Sequence, residues 1–459
     1  MSPLSPSPPP SLSTDLYELT MMAGYYVAGM RAPATFELYV RDLPRNRSYL
    51  VAAGIEQALE YLEALRFTPE QIGYLRGLPM FEPVPAAFFD EHLPSVRFTG
   101  EMWAVAEGTP VFAHEPILRV TAPIGEAQLV ETALLATIGF QTSIASKAAR
   151  VVHAAAGRAV VEFGSRRAHG TEAACLAARA AYIAGCQGTS NVEAGFRFGI
   201  PVSGTMAHSW VMSFESEAEA FGRFYELYGG RSTLLLDTYD SVAAAEAVGR
   251  SAMRPRSVRL DSGDLAVLSR QVRAILDAHA QTGTRIFATG DLDEHRIAAL
   301  VAAGAPIDGF GVGTALSTSK DAPALGAVYK LVSFERGGRT IDAMKLSEGK
   351  RSYPGAKQVW RQKGGAKTPA RDVLSLAAEP GPPGARPLLE RVMEGGRRTA
   401  PPVPLASLRE ACRRALDELP PGLRRLDRVE PYPVTLSDPL RSLTERLAAR
   451  AQEPEGTDR

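Results

Sequence analysis

Hydrophobic and polar positions follow a helical period in some parts of this 459-residue chain and a strand period in others. From an N-cap at Ser13 or Thr14, the segment DLYELTMMAGYYVAG has helical spacing, ATFELYV alternates like a strand, and GIEQALEYLEAL is helical again. Two or three short strands follow between Gly100 and Ala122. We therefore predict an N-terminal α+β lobe over residues 14–124.

A second pattern covers residues 125–320. Two helical stretches, GEAQLVETALLATI and QTSIASKAARVVHAAA, precede six short apolar segments, most of them followed by a helix: AVVEF, IPVSG, TLLLD, SVRLD, RIFATG and GFGVG. This alternation is typical of βα units and a parallel sheet. Six units are fewer than a complete barrel needs, so the pattern leaves two possibilities, an incomplete α/β barrel of about six to seven strands or an open doubly wound sheet.

The remaining segments surround these two regions. ALGAVYKLVSFE and RTIDAMKLS read as antiparallel strands that return to the N-terminal lobe over residues 321–361. Residues 362–449 form a C-terminal extension with a predicted helix, LASLREACRRALDEL. Residues 1–13 and 450–459 are poor in residues that could be buried, and we expect them to be disordered tails.

Composition narrows the possible partners. The chain has 51 basic and 51 acidic residues, so no net field attracts nucleic acid or an anionic membrane. Its three cysteines are too few for a disulfide framework, and no signal peptide or membrane-spanning run is evident. We expect a cytoplasmic protein with a small-molecule substrate.

Polar residues cluster where the predicted strands end. The segments GSRRAHG, TMAHS, TYD, SGD, DLD and TALS each follow one of the six strands. Ligands of parallel α/β proteins bind at the carboxyl ends of the strands, where these loops meet. Turn formation and helix capping would explain any single loop, but they explain the recurrence of Arg, His and Asp less well.

The segment SVRLDSGD is the most informative of these loops. Side chains alternate along a strand, so Arg259 and Asp261 are predicted to face the interior together. A structural salt bridge would also place them so, at a desolvation cost. Asp261 and Asp264 are candidates for binding a ribose diol or a Mg²⁺ ion on pyrophosphate.

Three other loops carry candidate residues. In FGVGT, Gly311, Gly313 and Thr314 allow backbone N–H groups to approach a phosphate. Arg166 in GSRRAHG suits a carboxylate or phosphate, and His208 in SGTMAHSW could accept a phosphoryl group. A tight turn, a solvated arginine and a structural histidine are the respective alternatives. Lys147 and Arg150, on the preceding helix, either add positive potential or lie on an exposed face.

Taken in order, several segments resemble the nicotinate phosphoribosyltransferase family: TDLYELTM, FELYVR, ASKAARV, FGSRRAHG, GTSNVEAG, GTMAHSW, VRLDSGDL, FGVGT and PGAKQVWR. The resemblance covers about three quarters of the chain and implies an irregular α/β barrel lacking the full eight strands. It also implies a homodimer with shared active sites, in which the N-terminal lobe packs across the interface. The implied substrates are nicotinate, phosphoribosyl pyrophosphate and ATP, with Mg²⁺ on the pyrophosphate.

The same resemblance implies roles for individual residues. Tyr17 would reach nicotinate from the partner subunit, Thr205 and Arg259 would contact nicotinate, and Thr314 would hold the phosphoribosyl phosphate. Arg166 would help to bind the anionic substrates. His208 would be transiently phosphorylated by ATP.

Related enzymes provide the main alternatives. Nicotinamide phosphoribosyltransferases carry an acidic residue where this chain has Ser190, so Ser190 favours the acid as substrate. A quinolinate enzyme is a weaker alternative, because such enzymes are shorter and have no phosphorylated histidine. A non-catalytic ligand-binding relative would bind substrates without releasing pyrophosphate. An aldolase-type barrel would need a lysine on a strand, and none of the six strands supplies one.

Overall fold

The computed structural model describes residues 10–346, 352–365, 369–427 and 429–450. Its helices are α1 Leu16–Val27, α2 Ile55–Ala64, α3 Pro69–Arg76, α4 Leu93–Ser95, α5 Ile124–Leu129, α6 Glu131–Ala154, α7 Thr171–Ile183, α8 Val192–Phe198, α9 His208–Met212, α10 Glu217–Tyr228, α11 Ser241–Arg250, α12 Leu265–Ala278, α13 Glu294–Ala302, α14 Thr314–Ser317, α15 Leu405–Asp417 and α16 Asp438–Arg450. Short 3₁₀ turns include Pro10–Leu12 and Ser165–Arg167.

The strands are β1 Pro33–Val40, β2 Leu50–Val51, β3 Glu101–Val105, β4 Pro110–Val111, β5 Pro116–Pro123, β6 Ala159–Glu162, β7 Gly188–Thr189, β8 Thr233–Leu235, β9 Ser257–Leu260, β10 Arg285–Ala288, β11 Gly309–Val312, β12 Ala327–Arg336, β13 Arg339–Asp342, β14 Lys357–Lys363, β15 Pro369–Leu376, β16 Arg386–Pro387, β17 Leu389–Glu394, β18 Arg397–Arg398 and β19 Val434–Leu436.

A seven-stranded sheet in the order β13-β12-β1-β5-β3-β17-β18 forms the centre of the N-terminal lobe. The strands predicted to return to this lobe do so, because β12 pairs antiparallel with β1 and β13 pairs antiparallel with β12. Strand β17, from the C-terminal extension, also joins this sheet beside β3. The extension therefore contributes to the lobe, which the sequence pattern did not indicate.

The second sheet is parallel, with the order β7-β6-β11-β10-β9-β8. It curls into half of a barrel, which confirms the incomplete α/β barrel. One predicted strand was wrong: IPVSG supplies only a single bridge, between Val202 and Thr189. Pro201 has no N–H to extend a ladder there, and the short strand β7 occupies the edge beside β6 instead.

Helix α6 connects the two sheets. The sequence pattern divided this region after residue 138, whereas the structure divides it at Val130 and continues as one 24-residue helix. Leu134 and Ile138 belong to the hydrophobic core of the N-terminal lobe, and Ile144 and Ala148 belong to the core of the half-barrel. The two cores thus share one rigid helix about 36 Å long.

The chain ends differ in part from the prediction. Ser11 is buried and accepts a hydrogen bond of 3.0 Å from the backbone N–H of Arg66, so the ordered chain begins before Thr14. The N-cap of α1 is Asp15, not Ser13 or Thr14. Residues 1–9 and 451–459 of the predicted tails lie outside the described residues, and Arg450 ends α16.

The C-terminal extension also contains the predicted helix α15 and supplies β15, β16 and β19 to a four-stranded sheet in the order β16-β14-β15-β19, which was not predicted. Strand β14 comes mostly from the end of the segment 321–361 and joins this sheet, not the sheet that contains β12 and β13. Across the described ranges, no helix is long and apolar enough to cross a membrane.

Candidate functional site

The site lies at the carboxyl ends of the parallel strands, where the following loops meet. Asp237 follows β8, Asp261 follows β9, Thr289 follows β10, and Thr314 begins α14 after β11. Residues 203–208 approach the same edge, because Thr205 contacts the side chain of Arg259. The sequence therefore places polar side chains from five separate segments around one opening.

Arg259 is the centre of this group. It lies on β9, and its side chain is 13% exposed. Its Nε donates to Thr289 Oγ1 at 2.9 Å, one Nη donates to Thr205 Oγ1 at 2.9 Å, and the other donates to Asp261 Oδ1 at 2.7 Å. These contacts fix the plane of the guanidinium, as recognition of a planar carboxylate requires.

Asp261 connects Arg259 to the loops on both sides. Its carboxylate also accepts a short hydrogen bond from Thr289, and its backbone N–H donates to Asp237 Oδ2 at 3.1 Å. Burial alone would raise the pKa of Asp261. Hydrogen bonds from Thr289 and Arg259, with the charge of Arg259, outweigh burial and hold the pKa below its usual value. Asp261 is therefore an ionised carboxylate at neutral pH.

Gly290 allows the loop after β10 to lie against β9. Its φ is +92°, and a Cβ at this position would overlap the carbonyl oxygen of Asp261. A side chain here would push Thr289 away from Asp261. The glycine is thus needed for a close approach between two backbones.

His208 lies at the start of α9, beside this group. Its Nδ1 is 3.2 Å from Thr238 Oγ1, and its Nε2 is 3.9 Å from Asp261 Oδ2. The side chain is 42% exposed, so the imidazole is oriented by two neighbours while one side remains open. An incoming phosphoryl group could reach it from solvent.

The buried carboxylate of Glu162 holds the segment that follows the turn containing Gly311, Gly313 and Thr314. Glu162, at the end of β6, accepts a hydrogen bond of 2.6 Å from Ser317 in α14 and another of 2.6 Å from Thr189 in β7. A Cβ on Gly311 would lie 2.6 Å from the Phe163 ring, so only glycine fits there. Glu162 therefore fixes α14 relative to its two neighbouring strands.

Three predicted residues are not part of the Arg259 group. The carboxylate of Asp264 caps α12, accepting from Ala266 N at 3.0 Å and Val267 N at 3.1 Å, which explains its position without a ligand. Arg166 is exposed in a 3₁₀ turn after β6. Ser190 follows β7 and donates its backbone N–H to Glu162 O at 2.9 Å.

Tyr17 lies in the N-terminal lobe. It interacts electrostatically with Glu131, the first residue of α6, whereas Lys147 on the same helix pairs with Glu294 just after the β10 loop. The two positions are about 24 Å apart along α6 at the usual helical rise. Tyr17 is therefore remote from Arg259 of its own chain.

Sequence reasoning did not select Asp237, Thr289 or Glu162. Asp237 and Thr289 each follow a parallel strand at the same level as Asp261, so the strand-end rule could have found both. Glu162 falls within a strand that otherwise reads as apolar. Only the spatial neighbours Thr189 and Ser317 reveal what it does.

The carboxyl edge of the half-barrel combines an arginine, two aspartates, an imidazole and a Gly-Thr turn. These features place the chain among α/β-barrel proteins with a site suited to small anions. Matches to models of protein families identify the chain more closely. The nicotinate phosphoribosyltransferase (NAPRTase) N-terminal domain matches residues 12–139, the NAPRTase family model matches residues 159–368, and the C-terminal domain matches residues 381–444. The chain belongs to the nicotinate phosphoribosyltransferase family.

Individual relatives agree with this assignment. The chain is 48% identical over 436 residues to a nicotinate phosphoribosyltransferase of Mycobacterium tuberculosis, covering 93% of this chain and 92% of that one. It is 31% identical over 525 residues to the Homo sapiens nicotinate phosphoribosyltransferase, covering 95% and 96%. The crystal structure of human nicotinic acid phosphoribosyltransferase superposes with a TM-score of 0.84, at 29% identity, covering 95% of this chain and 99% of that one.

Proposed function

We propose that this protein transfers the phosphoribosyl group of phosphoribosyl pyrophosphate to nicotinate, giving nicotinate mononucleotide and pyrophosphate for NAD salvage in the cytoplasm. We further propose that ATP hydrolysis drives the transfer through a phosphorylated His208. The observation that carries the proposal is the group around Arg259, in a chain that belongs to this family. Its relatives are named for this activity.

Nicotinate would bind through its carboxylate to Arg259 and Thr205. The guanidinium is held by three side chains and by a contact of 3.4 Å to Met206 O, yet it is partly open, so an N–H group that remains can donate to an incoming carboxylate. Ser190, near the same edge, adds no negative charge that would repel the acid. The site thus favours nicotinate over nicotinamide.

The phosphoribosyl donor would bind with its phosphate at the start of α14. Backbone N–H groups at the start of α14, beginning with Thr314, would donate to the phosphate oxygens. Arg166, exposed after β6, would assist with the anionic groups. The pyridine nitrogen then forms a bond to the anomeric carbon as the bond to the pyrophosphate oxygen breaks, and the protein's contribution is alignment and charge stabilisation.

Asp237 and Asp261 fit a magnesium ion better than the predicted pair of Asp261 and Asp264. Asp237 Oδ1 is buried and has no hydrogen-bond partner in the described structure, whereas Asp264 is used as a helix cap. Hard carboxylate oxygens beside substrate phosphates suit Mg²⁺, which would neutralise the pyrophosphate when bound. Among the described residues, no group of three or more His, Cys, Asp or Glu side chains could hold a metal by itself, so substrate oxygens and water would complete the coordination.

His208 is the proposed phosphoryl acceptor. An imidazole nitrogen would attack the γ-phosphorus of ATP, a new N–P bond would form, and ADP would leave with the electrons of the broken P–O bond. Asp261, facing Nε2 at 3.9 Å, would stabilise the positive charge that develops on the ring. Water would later attack the phosphohistidine and release inorganic phosphate.

A homodimer with shared sites is also proposed, because Tyr17 is remote from Arg259 within one chain. Tyr17 and Leu16 are each 46% exposed on α1, and Phe196 is 86% exposed on α8, the helix that follows β7. Apolar side chains this exposed favour burial against another surface. Docking α1 of one subunit over the open edge of the partner would bring Tyr17 to the nicotinate ring.

A pyrophosphate-release assay tests the proposed function. Nicotinate, nicotinamide and quinolinate are supplied in parallel with phosphoribosyl pyrophosphate, each with and without ATP. We expect release with nicotinate alone among the three, and faster release when ATP is present. Binding of the substrates without pyrophosphate release would instead identify a non-catalytic relative.

A further inference from the structure

The buried carboxylate of Glu162 joins three segments at the catalytic edge, where the carboxyl ends of the parallel strands lie. Glu162 is the last residue of β6 and is fully buried. Its Oε2 accepts a hydrogen bond of 2.6 Å from Thr189 Oγ1. Its Oε1 accepts one of 2.6 Å from Ser317 Oγ and a short one from the backbone N–H of Gly164. The two oxygens therefore hold different segments of the chain.

The Oε2 side leads to residues that are proposed to select the pyridine substrate. Thr189 Oγ1 donates to Glu162 and also accepts from the backbone N–H two residues later, at 2.9 Å, so that Ser190 is enclosed in a tight turn. The carbonyl oxygen of Thr189 accepts from the backbone N–H of Ser203 at 2.9 Å, two residues before Thr205. The position of Thr189 therefore affects both Ser190 and Thr205.

The Oε1 side leads to residues that are proposed to bind the phosphoribosyl donor. Ser317 is the last residue of α14, and its backbone N–H donates to Gly313 O at 3.1 Å, which closes the turn around Thr314. Gly164 precedes the 3₁₀ turn that contains Arg166. A Cβ on Gly164 would overlap the Ser317 hydroxyl, so these two segments lie in direct contact beside one carboxylate oxygen.

Stability alone is a weak reason for a carboxylate at this position. The three donors are two hydroxyl groups and one backbone N–H, so no cation among them offsets the cost of removing the charge from water. A carboxylate nevertheless offers what an amide or an apolar side chain cannot, because both of its oxygens accept hydrogen bonds at once. Glu162 can therefore fix two sets of loops relative to each other.

We infer that Glu162 is a positioning residue for both substrates, with Oε2 fixing the loops that bind nicotinate and Oε1 fixing the loops that bind the phosphoribosyl donor. Glu162 is fully buried and touches neither substrate. The transfer requires the ring nitrogen to be aligned with the anomeric carbon, and one rigid reference point for both sets of loops supports that alignment. This inference rests on the proposed function for the identity of the two substrates.

Deleting one hydroxyl at a time tests each side of the carboxylate. Thr189→Val removes the contact to Oε2 and keeps the shape of the side chain, so we expect the KM of nicotinate to rise roughly tenfold with little change for phosphoribosyl pyrophosphate. Ser317→Ala removes the hydroxyl contact to Oε1, and we expect the opposite pattern.

A double substitution tests whether these effects act through Glu162. Glu162→Leu removes both oxygens at a similar side-chain volume, and we expect it to raise both KM values. In that background Thr189→Val should add little to the KM of nicotinate, because the hydroxyl has already lost its partner. Should Glu162→Leu fail to fold, the two single hydroxyl variants still decide the inference.

Two controls separate positioning from general stability. Thr189→Ser keeps the hydroxyl and should retain the wild-type KM of nicotinate. Ser437→Ala removes a hydroxyl that donates to Glu379 Oε1 at 2.8 Å in the C-terminal extension. This second control should lower the unfolding temperature without changing either KM.

The dissociation constants of nicotinate and phosphoribosyl pyrophosphate are measured by calorimetric titration beside the KM values, which provides a readout without turnover. Equal changes for both substrates in each hydroxyl variant, or lower unfolding temperatures with unchanged constants, would overturn the inference. A wild-type protein that binds both substrates but releases no pyrophosphate would contradict the proposed function, and its dissociation constants would still test Glu162. Binding of neither substrate would overturn both.

Discussion

Arg259 makes hydrogen bonds to three side chains and still keeps part of its guanidinium open, which is unusual for a residue that only closes a salt bridge. Its partners approach from the residue that follows β9, from the loop after β10 and from residues 205–206. The arrangement fixes the guanidinium and leaves the side chain 13% exposed. At the scale of single residues, this is the feature that most directly specifies a planar anionic ligand.

Replacing Arg259 with alanine should therefore impair nicotinate binding selectively. Loss of a charge-assisted contact worth about 3 kcal/mol corresponds to roughly a hundredfold rise in the KM of nicotinate. The KM of ATP should change much less. Arg259→Lys controls for the lost charge beside Asp261, because it keeps a cation but not the planar fork. Equal increases in both KM values for Arg259→Ala would show that no carboxylate clamp exists.

His208 should be separable from the transfer reaction itself. In His208→Ala, nicotinate and the phosphoribosyl donor keep their proposed contacts, so we expect basal pyrophosphate release to persist and its stimulation by ATP to disappear. Incubation with γ-labelled ATP should leave an acid-labile phosphate on the wild-type chain and none on the variant. ATP stimulation that survives in His208→Ala would refute the assignment, while Thr238→Val tests whether the Nδ1 contact tunes the rate.

At the scale of elements, α1 is anchored through a buried carboxylate. Glu18 accepts hydrogen bonds from the backbone N–H of Thr132 at 2.9 Å and its hydroxyl at 2.8 Å. Burial nevertheless raises the pKa of Glu18 to about 7. The helix that carries Tyr17 is therefore held by a group that titrates near neutrality.

The sign of the resulting pH dependence follows from the raised pKa. The folded state binds this proton more tightly than the unfolded state, so the stabilising contribution is complete below the usual carboxyl pKa and is lost as the pH rises to about 7. We expect Glu18→Gln to raise the unfolding temperature at about pH 8 and to leave it nearly unchanged at about pH 5. The exposed Glu82→Gln serves as a control in thermal unfolding at both values. A variant less stable than wild type at about pH 8 would show that the ionised carboxylate is needed.

Elements with strong local patterns were predictable, and elements that depend on distant partners were not. Five of the six parallel strands and the returning strands β12 and β13 followed from apolar runs and alternation. The two-residue strand β7 exists only because β6 lies beside it, and β17 exists only because β3 was left with a free edge. The same distinction applies to the site. Alternation along one strand predicts that Arg259 and Asp261 face the same side, whereas the role of Glu162 depends on a hydrogen bond from Ser317, which is far away in the chain.

At the scale of the whole molecule, α6 determines how the two cores are related. Its first half packs in the N-terminal lobe and its second half in the half-barrel, and Lys147 on that second half pairs with the segments behind the catalytic edge. The lobe that carries Tyr17 is therefore held at a fixed distance from its own active site. A rigid separation of this kind favours an active site completed by a second copy of the chain.

Shared active sites predict complementation between two variants that are each impaired at limiting nicotinate. In a dimer of Tyr17→Ala and Arg259→Ala chains, one site combines both defects, while the other receives an intact Tyr17 and an intact Arg259. Random exchange after mixing equal amounts should therefore restore about one site in four, and pyrophosphate release should rise well above that of either variant alone. The two variants are mixed, subunit exchange is allowed by dilution and reconcentration, and activity is followed with time. Variants that exchange subunits, as shown by differently tagged chains, yet recover no activity would mean that Tyr17 acts within its own chain or not at all.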